Sequence, residues 1–100
     1  MTKSDAELYK KTAESVYENS RQFLRQKNDY VHVMYYYIPG DMVDSVFSCE
    51  SKMTVQVNQI IVSMQKEGYE ILSVDLRPTF EDASFKMFKQ KMYLLAITYK

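Results

Sequence analysis

Few residues of this chain could take part in chemistry. The 100-residue sequence contains one histidine, His32, and one cysteine, Cys49. A structural zinc site needs four ligands, mostly of these two types, so the pair cannot supply one. Cys49 lies in the sequence FSCES, which matches no motif of an activated nucleophile. We therefore predict no metal site and no catalytic residue, and we expect both side chains to be structural.

Paired carboxylates occur at Asp41 and Asp44 and at Glu81 and Asp82. Neighbouring acids of this kind are usually solvated or capping, and acid–base catalysis would require them to converge on a substrate. The two glycines of the chain cannot form a glycine-rich phosphate loop. The sequence predicts that the protein is not an enzyme and needs no cofactor.

The segment FKMFKQKMY, residues 85–93, alternates aromatic rings with lysines. Such a pattern can stack and hold single-stranded nucleic acid. It also fits a hairpin whose lysines face solvent and protect a sheet edge from aggregation. Because the net charge of the chain is zero, we favour the hairpin and expect no nucleic-acid partner.

The segment YVHVMYYYIPG, residues 30–40, is rich in β-branched and aromatic residues and predicts a strand over 30–38. Strand alternation gives one face of Val31, Val33, Tyr35 and Tyr37, and another of Tyr30, His32, Met34, Tyr36 and Ile38. Neither face is polar, so both need cover. We expect this strand to lie inside the sheet, covered by a helix on one face and by the N-terminal helix or a second copy on the other.

A long amphipathic helix is predicted from about residue 5 to residue 27. Ser4 and Glu7 have the spacing of a capping box, and Asn28 ends the helical pattern. The helix would be about 35 Å long, more than a small sheet needs as cover. Its apolar stripe contains Tyr9, Ala13, Val16, Ser20, Phe23 and Leu24, with Leu8, Thr12 and Tyr17 at the edges.

A second helix is predicted over 53–67, with Ser51 or Thr54 as its cap and Gly68 as its terminator. Strands are predicted in YEILSVDLR, residues 69–77, and in KMYLLAITYK, residues 91–100. Residues 41–52 fit either a short helix or an extended piece, and 78–90 fit either a loop or a continued hairpin. The predicted fold is α+β: a long N-terminal helix (1–28), then a mainly antiparallel β-α-β-β unit (29–100) in a single domain of 100 residues.

The segment MQKEGYEILSV resembles a motif of known small domains. A helix ending in Glu67-Gly68, followed by Tyr69-Glu70 and a strand, resembles a group of short bacterial α+β domains of unknown function, in which the aromatic position is usually tryptophan. The resemblance covers about residues 30–38 and 53–99. It implies a fold and carries over no catalytic residue. The element order is also similar to that of dodecins, small flavin-binding oligomers, but their flavin-stacking tryptophan has no counterpart here.

Targeting features are not apparent in the sequence. The N-terminus MTKSDAELYKK has no apolar signal region, and no apolar run approaches the ~18 residues of a spanning helix. A single cysteine suits a reducing compartment. We expect a cytoplasmic protein without a membrane partner.

Two surfaces are candidates for function. The stripe residues Tyr9, Val16, Tyr17 and Phe23 of the long helix suit an interface, most simply that of a homodimer, or else a site for a protein partner. The alternative is a face that binds an anionic or aromatic metabolite or a nucleotide. Its residues would be Tyr35, Tyr37, Ser73, Asp75 and Arg77, with Arg77 meeting an anion; the same polar stripe could equally be a solvated face with a local ion pair.

If the helix stripe is the interface, Val16→Asp combined with Phe23→Asp will yield monomers or aggregates, because each dimer would then bury four carboxylates. Size-exclusion chromatography with light scattering measures this directly. An unchanged oligomer would move the interface away from the helix.

Overall fold

The computed structural model describes residues 3–40, 49–79 and 91–100 of the chain. These residues form an antiparallel sheet of three strands, two α-helices and a 3-10 turn at Arg21–Phe23. In chain order the elements are α1 (Lys3–Ser20), β1 (His32–Gly40), α2 (Ser51–Lys66), β2 (Ile71–Pro78) and β3 (Lys91–Tyr99). The predicted α+β class and its order of elements are confirmed. Within the described ranges, no helix has both the length and the apolar character needed to cross a bilayer.

The strands are arranged in the order β1-β3-β2, so the last strand in sequence is the central one. Both of its neighbours pair with it antiparallel. The expectation that β1 lies inside the sheet is therefore wrong, because β1 is at the edge of the sheet that the described strands form. It also runs past the predicted break to include Pro39, which pairs with Met92. Proline is tolerated there because an edge strand has one side without a partner strand.

Both helices pack on the same face of the sheet, which corrects the idea that the N-terminal helix covers the other face. The shared core consists of Ala13, Tyr17, Met34, Tyr36, Ile60, Met64, Leu95, Ile97 and Tyr99, drawn from α1, β1, α2 and β3. The C-terminal ends of the two helices lie close together: Nε of Arg21, just after α1, is 3.0 Å from the carboxylate of Glu67, just after α2. Burial of this one apolar face is what joins the layers.

The N-terminal helix is shorter than predicted. It begins at Lys3, so Ser4 lies in its first turn. After Ser20 the chain forms a 3-10 turn, and the backbone at Leu24 is in the extended conformation. Ending the helix there lets Leu24 pack against the core, while Phe23 stays 68% exposed.

Tyrosines hold the connection between α1 and β1 against the end of the sheet. The backbone N–H of Arg25 donates to the hydroxyl of Tyr99 (3.1 Å), and the hydroxyl of Tyr69 donates to the carbonyl of Arg25 (3.0 Å). The two rings meet edge to face, with centroids 5.3 Å apart. The aromatic residue after Gly68 thus packs at the corner between helix and sheet.

The ends of α2 are fixed by Glu50 and Gly68. Neither Ser51 nor Thr54 is the cap; the carboxylate of Glu50 accepts from the backbone N–H of Met53 at 3.1 and 3.2 Å. At the other end, Gly68 has φ +92°. Its N–H donates to the carbonyl of Gln65 (3.0 Å), and the next N–H donates to that of Met64 (3.1 Å). This is a Schellman motif, so the prediction that Gly68 terminates the helix is confirmed.

The second strand is less well covered than the others. Its register shifts between Ile71 and Ser73, as in a β-bulge. Val74 and Leu76 face the helix layer, opposite the buried Ile97 and Leu95 of β3, yet remain 42% and 38% exposed. The helices therefore shield β1 and β3 better than β2.

The two segments left open by the sequence fall largely outside the described residues. Residues 41–48 and 80–90 are not described. Inside the described ranges, α2 begins at Ser51, and Thr79 donates from its backbone N–H to the carbonyl of Met92 (2.9 Å). β2 and β3 are therefore still linked just beyond Pro78.

We expect Gly68→Ala to lower the free energy of unfolding by about 1–2 kcal/mol, since an L-residue with a Cβ resists positive φ. The nearest atom to the new Cβ is the Lys27 Nζ at 3.8 Å, so no clash adds to this cost. Urea denaturation measures the effect, with Gly68→Asn as a milder companion. Unchanged stability in the alanine variant would contradict the assigned helix end.

Candidate functional site

The face of the sheet away from the helices is exposed and largely apolar. On β1, Val33, Tyr35 and Tyr37 are 46%, 58% and 73% exposed, whereas the intervening Met34 and Tyr36 are 8% and 9% exposed. The predicted alternation of this strand is confirmed. We call this surface the open face, and its members are Val33, Tyr35, Tyr37, Leu94, Ala96, Thr98, Ser73, Asp75 and Arg77.

The strand register arranges the open face in three rows. Tyr35 pairs with Ala96, which pairs with Asp75 on the far edge. The adjacent rows are Tyr37–Leu94–Arg77 and Val33–Thr98–Ser73. The five residues predicted as a ligand face are therefore on one surface, but the central strand separates the tyrosines from the polar edge by about 10 Å.

The polar edge of the open face is held by an ion pair. Nε of Arg77 donates to a carboxylate oxygen of Asp75 at 2.6 Å, and both side chains are well exposed. Arg77 is thus engaged with its own strand, as in the second of the two sequence interpretations. The edge is polar but its two charges balance, so it does not repel an approaching neutral surface.

The tyrosines that point inward have a different role. The hydroxyl of Ser20 donates to the carbonyl of Tyr17 (2.8 Å), so its oxygen accepts from the hydroxyl of Tyr36 (2.7 Å). Burial raises the pKa of Tyr36, although the bond to Ser20 works in the opposite direction. The ring of Tyr36 is therefore structural, and its hydroxyl is already hydrogen-bonded.

Tyr17 departs from its predicted place. It is 3% exposed, and its hydroxyl is buried without a hydrogen-bond partner among the described residues. Burial, with a further contribution from the carboxylate of Glu67, raises the pKa of Tyr17 well above its ordinary value. Tyr17 thus lies in the core and is not available to contact another protein molecule. Val16 and Phe23 are on the surface at 44% and 68% exposure, and Tyr9 is half-buried.

His32 and Cys49 do not come together. Nε2 of His32 is 3.0 Å from Oδ1 of Asn28, and its ring lies 5.7 Å from that of Tyr99. Cys49 is exposed, with its sulfur 3.8 Å from the hydroxyl of Thr54. Among the described residues, no group of three or more His, Cys, Asp or Glu side chains is placed to hold a metal ion.

Sequence reasoning missed two features. It did not recognise the centre of the open face at Ala96, because the position of β3 in the sheet is not a local property. It also left Gln56 out of the apolar stripe of α2, although Gln56, Ile60 and Met64 are the buried residues of that helix. The four-residue spacing of these three residues was the available signal.

No family model matches the chain, and neither the curated proteins nor the solved structures include one with significant similarity to it. The resemblance to the short bacterial domains therefore stays a prediction.

The alternation of β1 predicts that substitutions of neighbouring tyrosines lower the free energy of unfolding by very different amounts. We expect Tyr36→Ala to lower the free energy of unfolding by about 3–5 kcal/mol, as for other buried aromatic residues. Tyr35→Ala should cost less than about 1 kcal/mol in dilute solution, since its ring contacts mainly solvent. Urea denaturation of both variants is the measurement, and similar costs would contradict the assignment of the two faces.

Proposed function

We propose that the protein is a non-enzymatic, cytoplasmic module that self-associates as a homodimer through the open face of its sheet. The observation that carries this proposal is the exposure of Tyr35 and Tyr37 beside Val33 on a face that neither helix covers. Large contiguous apolar patches are uncommon on monomeric proteins and usually mark interaction sites. The lone cysteine, Cys49, is exposed, which suits a reducing compartment.

The size of the open face fits a small dimer interface. Strands of eight or nine residues at about 3.3 Å per residue, spaced about 4.8 Å apart, make a flat area of roughly 400 Å². Projecting tyrosine rings raise the accessible area towards the ~800 Å² that each partner of a standard interface buries. We therefore expect a dissociation constant in the micromolar range.

A second copy complements this face through a two-fold axis that runs parallel to β3. Such an axis places β1 of one copy over β2 of the other, with the two sheets about 10 Å apart. Tyr37 then lies over the partner's Arg77, where the guanidinium can contact the ring face. Tyr35 lies over the partner's Asp75, which can accept from its hydroxyl. The two-fold axis therefore forms the contact between the aromatic edge and the polar edge twice, once on each side of the interface.

Electrostatics favour this partner over a highly charged one. The chain has 13 basic and 13 acidic residues and no net charge. Two copies therefore approach without overall repulsion, and low net charge promotes association. The ion pair of Asp75 and Arg77 leaves the open face neutral as well.

The open face is a better candidate for an interface than the helix stripe. Tyr17 of the helix stripe is buried in the core. The exposed Val16 and Phe23 therefore do not form one continuous apolar surface with its ring. The open face instead presents adjacent apolar side chains on rigid, hydrogen-bonded strands.

Ala96 offers the sharpest test, because the proposed axis brings Ala96 of each copy opposite the other. We expect Ala96→Glu and Ala96→Lys each to be monomeric, since two like charges would meet in the interface. An equimolar mixture of the two variants should regain dimers. Sedimentation velocity from about 5 to 500 μM covers the expected range of affinity.

The helix variant Val16→Asp with Phe23→Asp serves as the matched control and should remain dimeric, because both positions are exposed. Circular dichroism should show that all variants stay folded. A wild-type protein that is monomeric up to about 500 μM would contradict the proposal. A monomeric helix variant beside dimeric Ala96 variants would place the interface on α1.

A further inference from the structure

A cavity of about 190 Å³ lies between α1, α2 and the sheet, on the helix side of the fold. Its wall is mostly apolar, with contributions from Ala13, Val16, Ile38, Ile60 and Leu95. An apolar cavity of about 150 Å³ is large enough to hold benzene inside a protein. This cavity therefore has room for a single aromatic ring or a short branched chain.

Gln56 lines the cavity and is only 8% exposed. Its side-chain amide makes no hydrogen bond to another described residue. The hydroxyl of Tyr17 is the one fully buried polar side-chain atom that lacks a partner among the described residues, so the amide of Gln56 keeps some contact with solvent. A bound molecule can take the place of that solvent and accept from the amide N–H.

Lys52 adds a positive charge to the same cavity. It lies four residues before Gln56, and the two side chains therefore share a face of α2 one turn apart. Its ammonium donates to the carbonyl of Pro39 at 2.9 Å and is partly buried. An ammonium has three N–H donors, and the described residues engage one of them, which leaves two for another acceptor. None of the described residues that line the cavity is acidic.

We propose that this cavity binds a small monocarboxylic acid that carries one aromatic ring or a short branched chain. The carboxylate lies between Lys52 and Gln56, accepting from the ammonium and from the amide N–H. The apolar part lies among Ala13, Ile60 and Leu95. Charge-assisted bonds of this type are about twice as strong as neutral ones, which sets the preference for an acid over a neutral analogue. The site is on the helix side of the sheet, opposite the open face, although Tyr37 of the open face also borders it. Binding there does not require the proposed dimer.

Benzoate is the probe, and benzamide is its uncharged equivalent of the same shape. We expect titration of the ¹⁵N-labelled full chain with sodium benzoate to give saturable NMR shifts at the cavity residues, with a dissociation constant on the order of 1 mM. Benzamide should bind about tenfold more weakly. No saturable shift up to about 20 mM benzoate, or equal affinity for both probes, would overturn the proposal.

Two variants separate the site from the stability of the fold. Lys52→Met should make the protein bind benzoate and benzamide equally weakly. Gln56→Leu should weaken benzoate binding without lowering the melting temperature, because it replaces the amide that bonds the carboxylate by an apolar side chain of similar size. The controls are Lys66→Met and Gln65→Leu, which change exposed residues of the same helix. Unchanged benzoate affinity in both Lys52→Met and Gln56→Leu would refute the site, whatever the oligomeric state of the protein.

Discussion

The packing of both helices on one face of a three-stranded sheet is the constraint on which the rest of this structure depends. It buries Tyr36, Leu95 and Ile97 in a common core. It also leaves the reverse face, built around Tyr35, Tyr37 and Ala96, without a layer from the described elements. A strand that is apolar on both faces but covered on one exposes apolar surface to water. Another molecule that covers the second face removes that exposure.

Tyrosine is the residue type that makes this arrangement workable. Inside the fold, the hydroxyls of Tyr36, Tyr69 and Tyr99 all find partners, with Ser20 and the backbone of Arg25. Tyr17 is the exception, and its buried hydroxyl is an energetic cost of the present packing. On the open face, the same side chain keeps a monomer soluble through its hydroxyl and still offers a large ring to an interface.

Local features of the fold could be predicted from the sequence, and non-local ones could not. The two-residue alternation of β1 and the role of Gly68 depend only on neighbouring residues, so both are confirmed. The strand order depends on which segments meet in space, and an apolar strand fits a covered central position as well as an edge. The broad stripe of α1 was equally ambiguous, because a rotation of a fraction of a turn decides whether Tyr17 or Val16 is buried. The ligand-face residues were placed on one surface correctly, but the intervening row at Ala96 needed the register.

The most direct test of the account is an isotope-filtered NMR experiment on a dimer made from labelled and unlabelled chains, which detects only contacts between copies. The account predicts intermolecular contacts from the rings of Tyr35 and Tyr37 to the side chains of the partner's Asp75 and the partner's Arg77. Intermolecular contacts that involve Val16 and Phe23 in place of these tyrosines would contradict it, as would the absence of any contact between copies at high concentration.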